Sequence, residues 1–245
     1  MGTYKRERII AMIPARMGST RLAMKNLALV NGKPLIYYAI KAAHDARIFD
    51  RVVINSEHPI FSKIAVRYKA EFYRRPAEWA TSEAKSDSVV YDFLKNNPCD
   101  IVAWINSTAP LQTGDEVRRV VRYFIEQGLD SLVTVKDEQV HCIYRGRPVN
   151  FRTDEVFSRT QDLMGVQSFV YSVMVWRSSV FMKEFEKKAY ALLCGKVGYF
   201  PVSKLSGVII KKEEDLMLAD YIMRAMAKKK RYKVSYDNIV KTWRK

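Results

Sequence analysis

Residues 9–26 read Ile9-Ile10-Ala11-Met12-Ile13-Pro14-Ala15-Arg16-Met17-Gly18-Ser19-Thr20-Arg21-Leu22-Ala23-Met24-Lys25-Asn26. The opening residues form an unbroken apolar run closed by a proline, the pattern of a strand buried on both faces. A polar loop follows, with Arg16, Ser19, Arg21 and Lys25 placed around Gly18. Guanidinium forks, an ammonium and backbone N–H groups all match phosphate oxygens, so such a loop at a strand's carboxyl end suits a triphosphate. The Gly-x4-Gly-Lys-Ser/Thr spacing of a Walker A loop is absent. On these residues alone, a plain basic surface loop competes with the phosphate loop.

Outward from this stretch, apolar runs alternate with amphipathic ones. Leu35, Tyr38, Ala39, Ala42 and Ala43 give helical spacing over Pro34 to Ala46, with the proline suited to a first helical position. Val52 to Ile54 reads as a second strand, and Ile60 to Tyr68 and Ser86 to Leu94 read as helices. Ile101 to Ile105 is a third buried strand that runs into Asn106-Ser107-Thr108. Asp115 to Gln127 is a helix stopped near Gly128, and Ser131 to Val135 a further strand. This alternation predicts an α/β fold, a mostly parallel sheet with helices on both faces. Ligands of such sheets bind outside the carboxyl ends of the strands, so the loops after Ile13, Ile54 and Ile105 form the candidate site. Between Asp137 and Arg159 the segments become short and charged, with a turn at Arg145-Gly146-Arg147-Pro148. This reads as an excursion from the sheet, either a lid or an oligomer arm. Phe169 to Trp176 and Gly207 to Ile210 are predicted as returning strands. Glu213 to Ala227 closes the pattern as a helix whose Glu213, Glu214 and Asp215 suit its positive end.

The 245 residues carry 42 Lys+Arg against 26 Asp+Glu, a net charge of +16. An anionic partner follows, although nucleotides, nucleic acid and acidic membranes all qualify. From Arg224 to Lys245 stand nine basic residues and one acid, Asp237, so half the excess lies in the last 22 residues. No apolar run approaches the ~20 residues that span a bilayer, and no membrane span is expected. The basic stretch Met1 to Arg8 precedes an apolar run too short for a signal peptide. Cys99, Cys142 and Cys194 are scattered singly, so a reducing cytoplasm is the expected setting. His44, His58 and His141 stand alone, and no Gly-x-Ser-x-Gly elbow supports a hydrolase. Asn55-Ser56-Glu57, after the second strand, reads equally as a substrate contact or a helix cap. Tyr68, Phe72, Tyr73 and Trp79 lie near Arg74-Arg75, but core and pocket roles explain them more cheaply than single-stranded nucleic acid.

The first loop, with Asn31-Gly32-Lys33-Pro34-Leu35-Ile36 after it, resembles the N-terminal signature of sugar-activating nucleotidylyltransferases. The similarity is to the cytidylyltransferases that make CMP-sialic acid and related CMP-nonulosonic acids, with CMP-Kdo synthetases nearby. Arg75-Pro76-Ala77-Glu78-Trp79-Ala80-Thr81, Thr108-Ala109-Pro110-Leu111, Asp130 to Val135, Arg159-Thr160-Gln161-Asp162-Leu163 and Glu214-Asp215-Leu216 resemble further family segments in the same order. The resemblance implies one Rossmann-like nucleotidyltransferase domain over residues 1–245, with an arm at about 137–160 and a basic tail at 228–245. It implies magnesium-dependent transfer of CMP from CTP to an acidic sugar, with pyrophosphate released, for surface glycan synthesis. By the same resemblance, Arg16, Ser19, Arg21 and Lys25 would hold the triphosphate, with Gly18 letting the backbone approach it; Asn26 would contact the nucleotide near the reacting phosphate, and Arg75 and Ser82 the cytidine. Asn106, Arg159 and Gln161 would face the sugar acid. A homodimer is implied in which the arm brings Arg145, Arg147 and Arg152 toward the partner's site. Nucleic acid is disfavoured as a partner.

The sequence also departs from that family. The family holds its metal by an Asp-x-Asp pair before the final helix, and the aligned positions here are Ile209 and Lys211. Neither side chain gives magnesium the oxygen ligand it requires. Met17 stands for a glycine, Thr20 for a frequent lysine, Ser82 for a common aspartate, and the usual Asn-Gly pair is replaced around Val170-Tyr171-Ser172. Three readings stay open. The metal is held by triphosphate oxygens and water, with Asp215 or Glu213 assisting; or Lys211 supplies part of its charge alongside Arg16 and Lys25 as catalytic residues; or the chain is a non-catalytic homologue that binds nucleotide or an anionic partner.

Overall fold

The computed structural model describes residues 6–227 and 233–240. In chain order the elements are β1 (Ile9–Pro14), β2 (Leu29–Val30), β3 (Lys33–Pro34), α1 (Leu35–Ala46), β4 (Arg51–Ser56), α2 (Ile60–Arg67), β5 (Glu71–Arg74), α3 (Ser86–Asn96), β6 (Ile101–Ile105), α4 (Gly114–Glu126), β7 (Ser131–Glu138), β8 (Ile143–Tyr144), β9 (Arg147–Pro148), β10 (Val166–Arg177), α5 (Ser178–Lys188), β11 (Val197–Pro201) and α6 (Glu213–Ala227). Seven strands form one sheet in the order β11-β7-β10-β6-β1-β4-β5. Only β10 runs against its neighbours, pairing antiparallel with both β6 and β7.

Strand β1 is the centre of this arrangement. Ile10 to Ile13 are fully buried, and the strand pairs in parallel with β4 on one side and β6 on the other. Its alternate residues feed two cores. Ala11 and Ile13 pack with α1 and α4 residues such as Ile40, Val117 and Phe124, while Ile10 and Met12 pack with Phe93, Trp176 and Phe181 on the opposite face. A strand used on both faces must be apolar throughout, which is why the opening run has no polar break. The chain moves from β1 outward to β4 and β5, then returns to lay β6 on the other flank. The order therefore reverses between β1 and β6, and their carboxyl ends open a crevice there.

Helix α4 starts at a true cap, with the Thr113 side chain accepting from the Glu116 N–H. It packs closely on α1 at Gly114, where an added Cβ would lie 2.4 Å from Asp45 Cβ. Between β7 and β10 the chain leaves the sheet. Residues 139–165 carry the small β8–β9 hairpin, whose turn residues Arg145 and Gly146 both have positive φ. The turn thus lies where the sequence pattern predicts it.

Three features differ from expectation. Gly207–Ile210 is not a strand: Val197–Pro201 takes the edge of β7 instead, pairing in parallel with Ser131–Val135. The apolar run 207–210 serves as a plug, in which Ile210 is fully buried and its N–H bonds the Thr108 carbonyl. Strand β10 begins at Val166 rather than Phe169, extended by a bulge between Phe169 and Met174 with Tyr171 at φ 56°. Helix α5 and strand β5 have no counterpart among the predicted elements. No helix among the described residues is long and apolar enough to cross a membrane.

Candidate functional site

The crevice at the carboxyl ends of β1 and β6 is a cleft of about 280 Å³. Arg16, Ser19, Arg21, Lys25 and Asn26 line it from the loop after β1, Arg75 and Ser82 from the segment after β5, and Asn106 from the loop after β6. Thus eight of the residues singled out in the sequence meet around one space. Its lining contains four permanent or near-permanent cations and no acidic side chain. Gly18 sits in the same loop, and a Cβ there would meet no protein atom.

Three of the four cations are held by specific contacts. The Arg16 Nη1 donates to the Thr81 carbonyl at 2.9 Å, which ties the first loop to the segment that carries Ser82. Asn26 donates through Nδ2 to the Arg16 carbonyl at 3.1 Å, closing the loop on itself. Lys25 Nζ donates to the Ile210 carbonyl at 3.1 Å. Burial, and then the neighbouring Arg21 and Arg16 charges, hold the Lys25 ammonium below the ordinary lysine range, while Asp215 pulls the other way. An anion bound here relieves the repulsion, so the site is poised for negative charge.

Arg75 is buried, its side chain only 4% exposed. Burial lowers its pKa, and the Glu57 carboxylate, 3.2 Å from Nη2, opposes that shift. The other Glu57 oxygen accepts the Met17 N–H at 2.7 Å. Glu57 therefore braces Arg75 and the loop after β1 together, and it lines neither cleft. The sequence leaves its role open because its two partners stand 40 and 18 positions away. Trp104, on β6, is not singled out by the sequence. It lines the cleft beside Trp79, and its indole N–H is buried without a partner among the described residues. Asn26 Oδ1 and Arg75 Nε are likewise buried and unpaired among the described residues. Buried polar atoms left open cost free energy, and three of them gather around this one crevice.

A second cleft of about 480 Å³ adjoins the first at Asn106 and is lined by Lys136, Ser168, Tyr171, Ile209, Lys211 and Asp215, among others. Asn106 is fixed between them: its Nδ2 donates to the Tyr171 carbonyl at 3.0 Å, and its Oδ1 accepts from Thr108 Oγ1 at 2.8 Å. Arg159 and Gln161 line neither cleft. The Arg159 side chain is 74% exposed and pairs with Asp162 at 2.7 Å, and Gln161 lies on a short 3-10 turn of the arm. On the same arm Arg152 is paired with Asp154 and Glu155, and Arg145 lies over the Tyr144 ring.

The residues present do not make a magnesium site of their own. Among the described residues no three His, Cys, Asp or Glu side chains gather so as to hold a metal. Asp215, the one carboxylate lining the second cleft, accepts the Lys211 and Lys212 N–H groups on the same oxygen at 2.8 and 2.9 Å. Burial pushes its pKa up, and these two hydrogen bonds outweigh that and hold it down. It acts as a cap for the start of α6.

A family model described as cytidylyltransferase matches residues 10–171. The chain is 32% identical over 124 residues to the N-acylneuraminate cytidylyltransferase of Escherichia coli O18:K1:H7, covering 49% of this chain and 29% of that protein. The protein of that name from Oncorhynchus mykiss is 29% identical over 132 residues, 54% of this chain and 31% of the relative. Its namesake from Streptococcus agalactiae serotype V is 22% identical over 94% of this chain and 58% of its own length. The match thus spans 29%, 31% and 58% of these relatives, under two thirds of each. Among solved structures, a CMP-2-keto-3-deoxy-manno-octonic acid synthetase complexed with CTP superposes at a TM-score of 0.68, with 13% identity, over 89% of this chain and 99% of that one. A 4-diphosphocytidyl-2C-methyl-D-erythritol synthase from Anaerococcus prevotii gives 0.61, with 11% identity and the same coverage. These two likenesses show the fold.

Proposed function

The chain belongs to the cytidylyltransferase family, and from that premise we propose that it transfers CMP from CTP to the hydroxyl of a nonulosonic or related sugar acid. Pyrophosphate is the other product, and surface glycan assembly is the use of the CMP-sugar. The observation that carries this reading is the acid-free cleft in which Arg16, Arg21, Lys25 and Arg75 converge at the β1/β6 crevice. Such a lining selects a polyanion, and the two tryptophans beside it offer faces for a base.

In the reaction, the acceptor hydroxyl attacks the α-phosphorus, its proton passes to solvent, and the bond to the departing pyrophosphate breaks. Little covalent work falls to the protein, which positions the reactants and neutralises the charge that builds on the leaving oxygens. Arg16, Arg21 and Lys25 are placed for that neutralisation, with Ser19 and Asn26 as neutral partners. Arg75, fixed by Glu57, and Ser82 face the nucleoside side. Asn106 stands where nucleotide and acceptor meet. Arg159 and Gln161, outside both clefts, reach the acceptor only if the arm is rearranged or crosses to a second subunit. A homodimer through the arm supplies that arrangement, and Val156 and Met164, 91% and 82% exposed, are the apolar surface it would bury.

The rival reading, a homologue that binds nucleotide without turning it over, draws on Ile209 and Lys211 at the family's metal positions. A pyrophosphate-release assay with CTP, magnesium and a panel of sialic, legionaminic, pseudaminic and Kdo acids decides between them. Turnover with at least one acid is the expected result. CTP binding without turnover on any acid would establish the rival.

A further inference from the structure

The second cleft is built around two lysines on different elements. Lys211 lies on the segment before α6, and Ile209, two residues earlier, lines the same cleft. Between them Ile210 is buried and locked: its N–H bonds Thr108, and its carbonyl takes the ammonium of Lys25 from the phosphate loop. Ile209 and Lys211, on either side of this locked residue, both line the cleft. This segment is therefore the wall shared by the phosphate loop and the second cleft.

Lys136 comes from the end of β7. Its chain lies directly over Gly207, where a Cβ would stand 2.0 Å from Lys136 Cε and 3.1 Å from Nζ. The missing side chain at 207 is what lets this lysine lie along the cleft wall. Two lysines, from β7 and from the 207–211 segment, thus line the cleft against one carboxylate, Asp215, whose Oδ2 is already committed to two backbone N–H groups. Two ammonium groups carry the formal charge of one divalent cation, and they need no oxygen ligands to be held.

We propose that Lys136 and Lys211 supply, from the protein itself, the positive charge on CTP's phosphates that a resident divalent cation would otherwise provide. Gly207 is the clearance that positions Lys136. Nucleotide binding by this chain accordingly does not depend on a divalent cation. The proposal rests on the CTP reading above. It differs from a metal held by triphosphate oxygens and water in giving the charge to named side chains.

The test is CTP binding by titration calorimetry, with the full chain in excess EDTA and in millimolar magnesium. The wild-type dissociation constant is expected to agree within about threefold between the two buffers. Lys136→Gln with Lys211→Gln keeps polarity and most of the chain length but removes both charges. It is expected to weaken binding in EDTA by at least about tenfold, the scale of losing charge-assisted contacts. Lys211→Asp with Ile209→Asp is expected to make binding magnesium-dependent, and thermal melts confirm that each variant is folded. Gly207→Ala, which pushes Lys136 aside without touching its charge, is expected to weaken binding in EDTA in the same direction. A wild-type protein that loses more than about tenfold in EDTA overturns the proposal and leaves the CTP reading standing. So does a double glutamine variant that binds like wild type. Absence of CTP binding in both buffers overturns the CTP reading, and this proposal with it.

Discussion

Lys25 joins the loop's local chemistry to the rest of the molecule, since its side chain lines the first cleft and its ammonium holds the carbonyl of a residue 185 positions away. Arg16→Ala and Lys25→Ala are each expected to lose more than about tenfold in CTP affinity, as a charge-assisted contact to phosphate is removed. Calorimetry that finds wild-type affinity for both would discredit the loop. Lys25 also carries a pH signature. Burial and the two arginines depress its pKa, so it sheds its proton at a lower pH than an ordinary lysine, for which the value is about 10.4. Only the protonated form pairs with phosphate. Affinity is therefore expected to fall as pH rises through the depressed value, with protons taken up on binding in that range, and Lys25→Arg should abolish the fall. Glu57 is the second test at this scale. Removing it leaves Arg75 buried and uncompensated, a loss of roughly 3 kcal/mol or more for a buried pair. Glu57→Ala should show that loss in urea unfolding, and a loss under about 1 kcal/mol would mean that water reaches Arg75. The loop cations are legible in the sequence because they are close together and chemically plain. Glu57 and Trp104 are not, because their roles arise only from neighbours brought in by β4, β5 and β6.

At the scale of elements, the β1 strand, α1, α4 and the β6 strand are legible because each carries its own period and its own stop signals. Strand β11 is not, since Val197–Pro201 is half-exposed and contains Gly198 and a closing proline, which weaken any strand pattern. The apolar run at 207–210 imitates a strand because burial of Ile210 beside the loop after β1 demands the same residue type. The bulge in β10 has no signal at all. Tyr171 takes a positive φ that favours glycine, and its carbonyl is turned to Asn106. Packing of α1 against α4 gives the prediction at this scale. Ala at position 114 gains at most about 1 kcal/mol of helix propensity over Gly. Its Cβ would stand 2.4 Å from Asp45 Cβ and 2.8 Å from the Ala46 nitrogen, so one helix must move, at a cost of typically about 1–3 kcal/mol. Overpacking wins, and Gly114→Ala is expected to lower the unfolding midpoint; an unchanged or raised midpoint would show that the α1–α4 crossing is soft.

For the whole molecule, charge and apolar surface divide the work. The exposed apolar residues of the arm are expected to be covered by a second copy, and Val156→Asp with Met164→Asp should shift the protein to a monomer in light scattering. A wild-type protein that is already monomeric would remove the dimer. The net charge of +16 separates into a cleft that holds four cations with no acid and a terminal stretch that holds half the excess. Most of that stretch, residues 228–245 with eight basic side chains and Asp237, falls largely outside the described residues. Among those described, Lys233 to Asn238 are exposed. Exposed charges act over a Debye length of about 8 Å at physiological salt, so tail lysines influence the cleft only by lying over it. The cleft already carries its own charge, and Arg16, Lys25 and Arg75 are each fixed there by a partner within the fold. Deleting residues 228–245 is therefore expected to leave CTP affinity within about twofold of wild type. The same deletion should sharply reduce retention on a polyanion such as heparin, because counterion release scales with the number of anionic groups that basic side chains neutralise. A fall in CTP affinity beyond about tenfold, reversed by no change of salt, would instead make the tail a wall of the nucleotide site.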